Sequence, residues 1–200
     1  MGALDPRIDD LVDSYSSAAS LFPRCTVLLG DGPYRLTLRI CEGYDQALAS
    51  GEGIRRGTAL LANIRSRVVG HLECVRTSEL MGHADFRAAL ENIERLFETT
   101  SSFSDSVLQD AQRFVERQFR QDRVRIPLRE ALTLSVQYVK EEIAIYLERA
   151  SKGWLVECYM GAELPTLAKI IEGHIPLAPD PLKKRIAVSL APLKQRARAI

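Results

Sequence analysis

Tyr138 and Glu142 stand four residues apart, so a helix through them carries a phenol and a carboxylate on one face. Such a pair can bind an amine, the carboxylate meeting the ammonium and the phenol orienting it, and it can also move a proton. The same spacing also marks the ordinary edge of a helix face, and spacing alone does not choose between the two readings. Tyr159 and Glu163 repeat the interval downstream, with Tyr159 closing an apolar run of strand type. Ligands of open α/β sheets collect at the carboxyl ends of strands, but a core tyrosine with its hydroxyl at the rim fits that position as well. Arginine offers a second chemistry. Arg113, Arg117 and Arg120 share one helix face, in a stretch to Arg129 where only Glu116 and Asp122 oppose the positive charge. Arg55, Arg56, Arg65 and Arg67 form a second basic group, and Lys183, Lys184, Arg185, Lys194, Arg196 and Arg198 a third. The planar guanidinium fork suits phosphate. The plain alternative is a solvated helix face.

Other chemistries find less support. Gly30-Asp31-Gly32 follows an apolar run, yet it lacks the third glycine and a helix opening directly behind it, so it is a weak nucleotide signal. His71, His83 and His174 are scattered without ligand spacing, and no metal or other cofactor is expected. Cys25, Cys41, Cys74 and Cys158 form no Cys-x-x-Cys pair and read as reduced thiols, with Cys25, Cys41 and Cys158 conceivable nucleophiles that have no base nearby in sequence. No Gly-x-Ser-x-Gly is present.

The elements that must position these residues follow from periodicity. Apolar residues from Ile8 to Phe22 recur at helical spacing, between Pro6 and Pro23. Cys25 to Leu29 is a short buried-strand run closed by Gly30-Asp31-Gly32-Pro33. The chain then reads as loop-rich up to Ser50-Gly51-Glu52-Gly53, with a helix from Ile54 to Val69 and a strand from Leu72 to Thr77. Helices are predicted over Asp85 to Glu98, Ser104 to Phe119 and Leu128 to Arg149. A strand over Trp154 to Tyr159, a helix over Leu164 to Glu172 and a last strand over Ile186 to Leu190 precede a basic tail at about 191–200. Alternating helices and buried strands predict an α/β fold, a Rossmann-like parallel sheet flanked by helices in a single domain over residues 1–200.

Composition sets the outer limits. With 200 residues, 46% hydrophobic and 26% charged, the chain buries a core without staples and is not disordered. A net charge of +1 is not that of a dedicated nucleic-acid binder. No apolar run reaches the roughly 18 residues of a membrane span, and the N-terminus has no secretory pattern, so a cytoplasmic protein without a membrane partner is expected.

The fragments Leu72-Glu-Cys-Val-Arg-Thr-Ser-Glu-Leu80, Asp85-Phe-Arg-Ala-Ala-Leu, Gln137-Tyr-Val-Lys-Glu-Glu142, Val156-Glu-Cys-Tyr159 and Pro165-Thr-Leu-Ala-Lys-Ile-Ile171 occur in one order and spacing. Together they resemble the tRNA-dependent cyclodipeptide synthases, from the first helix to near Pro192. The resemblance implies a Rossmann-like domain related to the catalytic domains of tyrosyl- and tryptophanyl-tRNA synthetases. It implies an aminoacyltransferase that joins the aminoacyl groups of two charged tRNAs into a cyclic dipeptide. Carried over, Tyr138 and Glu142 hold the aminoacyl amine, Glu142 transfers its proton, and Tyr159 orients the aminoacyl group. An alternative alignment makes Tyr159 and Glu163 the amine-binding pair. Arg55, Arg56, Arg65 and Arg67 stand where the family has its basic helix, and with Arg113, Arg117 and Arg120 they are the expected tRNA contacts.

Three departures from the family pattern accompany this. Cys25 to Gly30 resembles the family's second strand, so its first strand and the serine turn that carries the acyl group would precede Met1. Met160 follows the second tyrosine where the family has His or Pro, and the basic helix is diluted by Ala and Leu. A non-catalytic relative that binds aminoacyl-tRNA, or that pairs with a complete synthase or a second copy through an open sheet edge, is the alternative expectation. A small-molecule role with the basic patches serving solubility is a third.

Overall fold

The structure is a computed structural model that describes residues 12–13, 15–16, 26–68, 73–154, 156–159 and 164–189, with backbone alone at 156–159 and 187–189. Most of the predicted first helix lies outside these residues, although 12–13 and 15–16 are helical. Strand β1 spans Thr26–Leu29 and is followed by helices α1 (Tyr34–Glu42) and α2 (Gln46–Arg65). Strand β2 (Glu73–Arg76) leads directly into a single turn, α3 (Thr77–Leu80). Three long helices follow, α4 (Ala84–Thr99), α5 (Ser101–Arg120) and α6 (Leu128–Ser151). The chain then forms β3 (Val156–Tyr159), α7 (Pro165–Ile171), α8 (Asp180–Lys183) and β4 (Ile186–Ser189).

The strands pair in parallel, as the helix–strand alternation predicts. Among the described residues they make two pairs, β1 with β2 (Thr26 opposite Glu73) and β3 with β4 (Val156 opposite Ile186). The core lies where α4, α5 and α6 pack together with α7. Phe86, Ala89, Ile93 and Leu96 on α4 meet Phe103 and Val107 on α5 and Val139 and Ile143 on α6, all buried. These positions recur every three or four residues, so each helix buries one stripe. A fully buried side chain of this size contributes about 1.5–3 kcal/mol. Among the described residues no helix is long and apolar enough to cross a membrane.

The stretch predicted as loop is helical. Tyr34–Glu42 alternates apolar and polar residues, which conceals a helix from a periodicity reading, yet Leu36, Leu38 and Ile40 are all buried. Gly43, at φ 69°, ends it in a left-handed cap. Helix α2 begins at Gln46, well before Ile54, because the Asp45 carboxylate accepts the Leu48 N–H at 2.8 Å. Gly53 and Gly57 within it are not breakers but contact points. A Cβ on Gly57 would lie 2.8 Å from Asp31 Cβ, and one on Gly53 would lie 2.9 Å from the Asp31 carbonyl oxygen. Strand β2 is shorter than predicted at Thr77, whose hydroxyl turns back to donate to the Leu29 carbonyl while accepting the Gly32 N–H.

Candidate functional site

Helix α6 carries two adjacent carboxylates with different surroundings. Glu141, with a side chain 3% exposed, faces α1, where it receives both arms of the Arg35 guanidinium at 2.8 and 2.6 Å. Gln137 donates to it as well, at 2.9 Å. Glu142 points elsewhere because successive helical residues are turned by about 100°. There it stands one turn from the Tyr138 phenol, close enough for each group to shift the other's protonation. Burial pushes the Glu142 carboxyl above its ordinary value and the Asp110 charge adds to that, while Tyr138 and Arg185 pull it back. Burial also holds the Tyr138 phenol well above its usual range, reinforced by Glu142, so it remains a neutral donor. A carboxyl shifted toward neutrality beside a fixed phenol donor can accept a proton from an amine and return it. Of the motif Gln137 to Glu142, Gln137 and Glu141 are thus engaged within the chain, and Lys140 pairs with Glu94 at 3.5 Å.

Helix α5 builds the neighbouring wall. Ser135 donates to the Ala111 carbonyl at 3.2 Å, which pins α5 against α6. The Phe114 ring stacks on Tyr138 with centroids 6.3 Å apart and planes within 5°. The Arg117 guanidinium covers Phe114 at 5.7 Å from its centroid. The three predicted arginines Arg113, Arg117 and Arg120 do share a face, and with Glu116 and Gln121 they line an open cavity of about 280 Å³. The basic face and the Tyr138–Glu142 pair are thus joined through one aromatic ring. Sequence reasoning did not single out Phe114 or Asp110. An acidic residue in the apolar series 103, 107, 110, 114 is the signal that identifies Asp110 as a buried carboxylate.

The other basic groups differ from the sequence expectation in their partners. Arg55 and Arg56 on α2 both bond to Glu52, at 2.6 to 2.7 Å. Those bonds hold the Glu52 carboxyl down to about 2, so the cluster remains ionised at any working pH. Arg56 also approaches Tyr34 at 3.4 Å and Glu42 at 3.7 Å. Arg65 and Arg67 are exposed near the end of the same helix. In the third group, Arg185 is not a surface cation: it is buried, with its guanidinium 4.5 Å from the Tyr146 ring centroid. Lys183 pairs with Asp180 at 3.1 Å, and 194–198 lie outside the described residues.

The Gly30-Asp31-Gly32 turn is filled by its own chain. Asp31 is buried and accepts from Arg76 Nε, the Ser78 N–H and the Ser78 hydroxyl, each at 2.8–2.9 Å. Arg76 continues to the Ile54 carbonyl and the Thr58 hydroxyl. This closed network leaves no acceptor for a nucleotide ribose. Burial raises the Cys41 and Cys74 thiols, opposite to what an activated thiolate needs. Cys25 and Glu163 lie outside the described residues, and for Tyr159 the backbone alone is placed, at the carboxyl end of β3 opposite Ser189. Among the described residues no cluster of three or more His, Cys, Asp or Glu side chains could hold a metal.

No protein-family model matches the chain, and no curated protein matches it. Solved structures do. A CDPS from Fluoribacter dumoffii superimposes with a TM-score of 0.76 at 17% identity, over 90% of this chain and 81% of that one. AlbC, a cyclodipeptide synthase from Streptomyces noursei, gives 0.71 at 20% identity, over 100% of this chain and 96% of that one. A CDPS from Staphylococcus haemolyticus gives 0.66 at 18% identity, over 87% and 81%. The fold of this chain, with its parallel strands and three packed helices, is therefore that of the cyclodipeptide synthases.

Proposed function

We propose that the protein is an aminoacyltransferase that forms a cyclic dipeptide from two aminoacyl-tRNAs. The observation that carries this reading is the half-buried Tyr138–Glu142 pair, joined through Phe114 to an arginine-lined cavity, within the fold of cyclodipeptide synthases. An aminoacyl-tRNA presents an ammonium group and an ester close to a phosphate backbone, and the two halves of the site match those two chemistries.

The residues divide the work. Arg113, Arg117 and Arg120 contact the RNA phosphates, with Arg65 at the end of α2 and Arg67 just beyond it as further contacts, and Glu52 competes with phosphate for Arg55 and Arg56. Tyr138 and Glu142 hold the amine. Glu142 accepts its proton as the neutral amine attacks the ester carbonyl of the other aminoacyl group. An amide bond forms, the ester C–O bond breaks, and Glu142 returns the proton to the departing tRNA hydroxyl. A second aminolysis of the same kind closes the ring and releases the second tRNA. Tyr159, at the carboxyl end of β3, orients the aminoacyl group. Charged tRNA as substrate places the protein in the cytoplasm.

Glu142→Gln keeps the shape and removes the proton acceptor. Cyclic dipeptide, measured by mass spectrometry of cultures that express the chain, is expected to fall by a factor of about 10²–10⁴. Undiminished product from the variant overturns the role of Glu142. A wild-type protein that binds charged tRNA and yields no product gives the binding-only relative instead.

A further inference from the structure

The open cavity on α5 holds one group that a plain phosphate site does not want. Its lining is Arg113, Glu116, Arg117, Arg120 and Gln121. The three guanidinia only donate hydrogen bonds, the Glu116 carboxylate only accepts them, and the Gln121 amide does both. Arg117 and Arg120 stand in the last turn of α5, where positive charge suits the helix C-terminus on its own account. Arg113 lies further back, and Glu116 has the wrong sign for that end. Ion pairing does not use these groups up. Glu116 meets Arg120 at 3.4 Å, their side chains 63% and 78% exposed, and a pair so open to water holds neither group firmly. Arg113 Nη1 is 3.7 Å from Asp110, beyond hydrogen-bonding distance, on a side chain 63% exposed. Arg117 lies over the Phe114 ring, a contact that consumes none of its N–H groups.

The cavity thus offers several donors and one carboxylate acceptor in one space of about 280 Å³. That is the small end of small-molecule sites, about 300–1,000 Å³, and too little for a paired helix. A single nucleotide matches both chemistries. Its phosphate accepts from guanidinia. Cytosine adds an exocyclic amino group that donates to a carboxylate, where uracil presents a carbonyl oxygen that a carboxylate repels. Adenine carries a like amino group on a larger ring, which the volume disfavours. A base in a duplex has this edge engaged by its partner, so the nucleotide is unpaired.

We infer that the cavity is a subsite for one unpaired cytosine nucleotide of an RNA strand, Arg113, Arg117 and Arg120 holding its phosphate and Glu116 accepting its exocyclic amino group. This rests on the function proposed above and deepens it. Every tRNA carries unpaired cytosines in the 3′ end that bears the aminoacyl ester, so the subsite grips that strand whatever the amino acid.

The test uses two labelled trinucleotides, three cytidines and three uridines, with affinities read by fluorescence anisotropy at low salt. The wild type is expected to bind the cytidine strand about tenfold more tightly, the scale of a hydrogen bond to a charged group. Glu116→Gln, on an exposed side chain, removes a charge that repels phosphate, so both strands bind more tightly. Their ratio falls below threefold, because an amide serves a donor or an acceptor equally. A carboxylate that acted only through its charge would leave the ratio unchanged, and that result overturns the inference. Arg113→Ala weakens both strands by a similar factor; a loss confined to one strand overturns the division of roles. Free cytidine monophosphate that displaces the cytidine strand at equal concentration assigns the cavity to a free nucleotide and overturns the RNA reading. A wild type that binds whole tRNA but shows no preference between the strands overturns the subsite and leaves the proposed function standing. A wild type that binds no tRNA overturns both.

Discussion

Glu142 is held in a state that a solvent-exposed carboxylate does not reach. Its ordinary value is 4.5 and burial raises it, so the folded chain favours the protonated form more than the unfolded chain does. The sign of the pH effect follows. Below the unfolded value the group is neutral in both states and its contribution is fully present; as pH rises through the raised folded value, that contribution is lost. Glu142→Gln, neutral throughout, is therefore expected to melt about 3 °C higher than the wild type at pH 7.5. The advantage should shrink toward zero near pH 4, as followed by circular dichroism. An advantage that does not vary with pH would mean that Glu142 is not buried in its charged form. The pairing with Tyr138 was legible in the sequence because helix geometry alone brings residues four apart together. The engagement of the neighbouring Glu141 was not, because it depends on Arg35, far away in the chain. The anchoring of Asp110 was equally hidden, since Thr166 bonds its carboxylate from across the fold.

At the scale of elements, α2 shows how a basic helix can be weaker than its arginine count. Glu52 binds Arg55 and Arg56 together, and a phosphate must compete with it for both. Glu52→Gln is expected to tighten binding of bulk tRNA severalfold at low salt. It should also steepen the slope of log affinity against log salt by about 1, read by filter binding at several salt concentrations. No change in slope would place the RNA away from this end of α2. The long helices α4, α5 and α6 were legible because each buries a regular stripe. The first half of α2 was not, because Gly51 and Gly53 suggest a loop. Glycine costs about 1 kcal/mol in a helix interior, and at Gly53 and Gly57 close approach to Asp31 is the reason it is there.

For the whole molecule, Asp31 and Arg35 are two of the points where distant elements lock. Asp31 ties the end of β1 to β2 and α3, and through Arg76 to α2. Asp31→Ala leaves a partly buried Arg76 without its carboxylate, and a loss of about 3 kcal/mol in urea denaturation is expected. A loss below about 1 kcal/mol would show that Arg76 finds another partner. Parallel pairing was foreseeable from the order of helices and short apolar strands; the closure at Asp31 was not, because its partners come from sequence positions more than forty residues away. The Arg35–Glu141 fork has a wider consequence. It sets the angular phase of α6, and the neighbouring Glu142 inherits its aim from that phase. One residue inserted between Leu128 and Tyr138, or removed there, would either turn Glu142 by about 100° or break the fork. The upstream half of α6 thus behaves as a ruler: its side chains can drift, but its count of residues cannot, and length changes near this site must fall in the turn at 121–127.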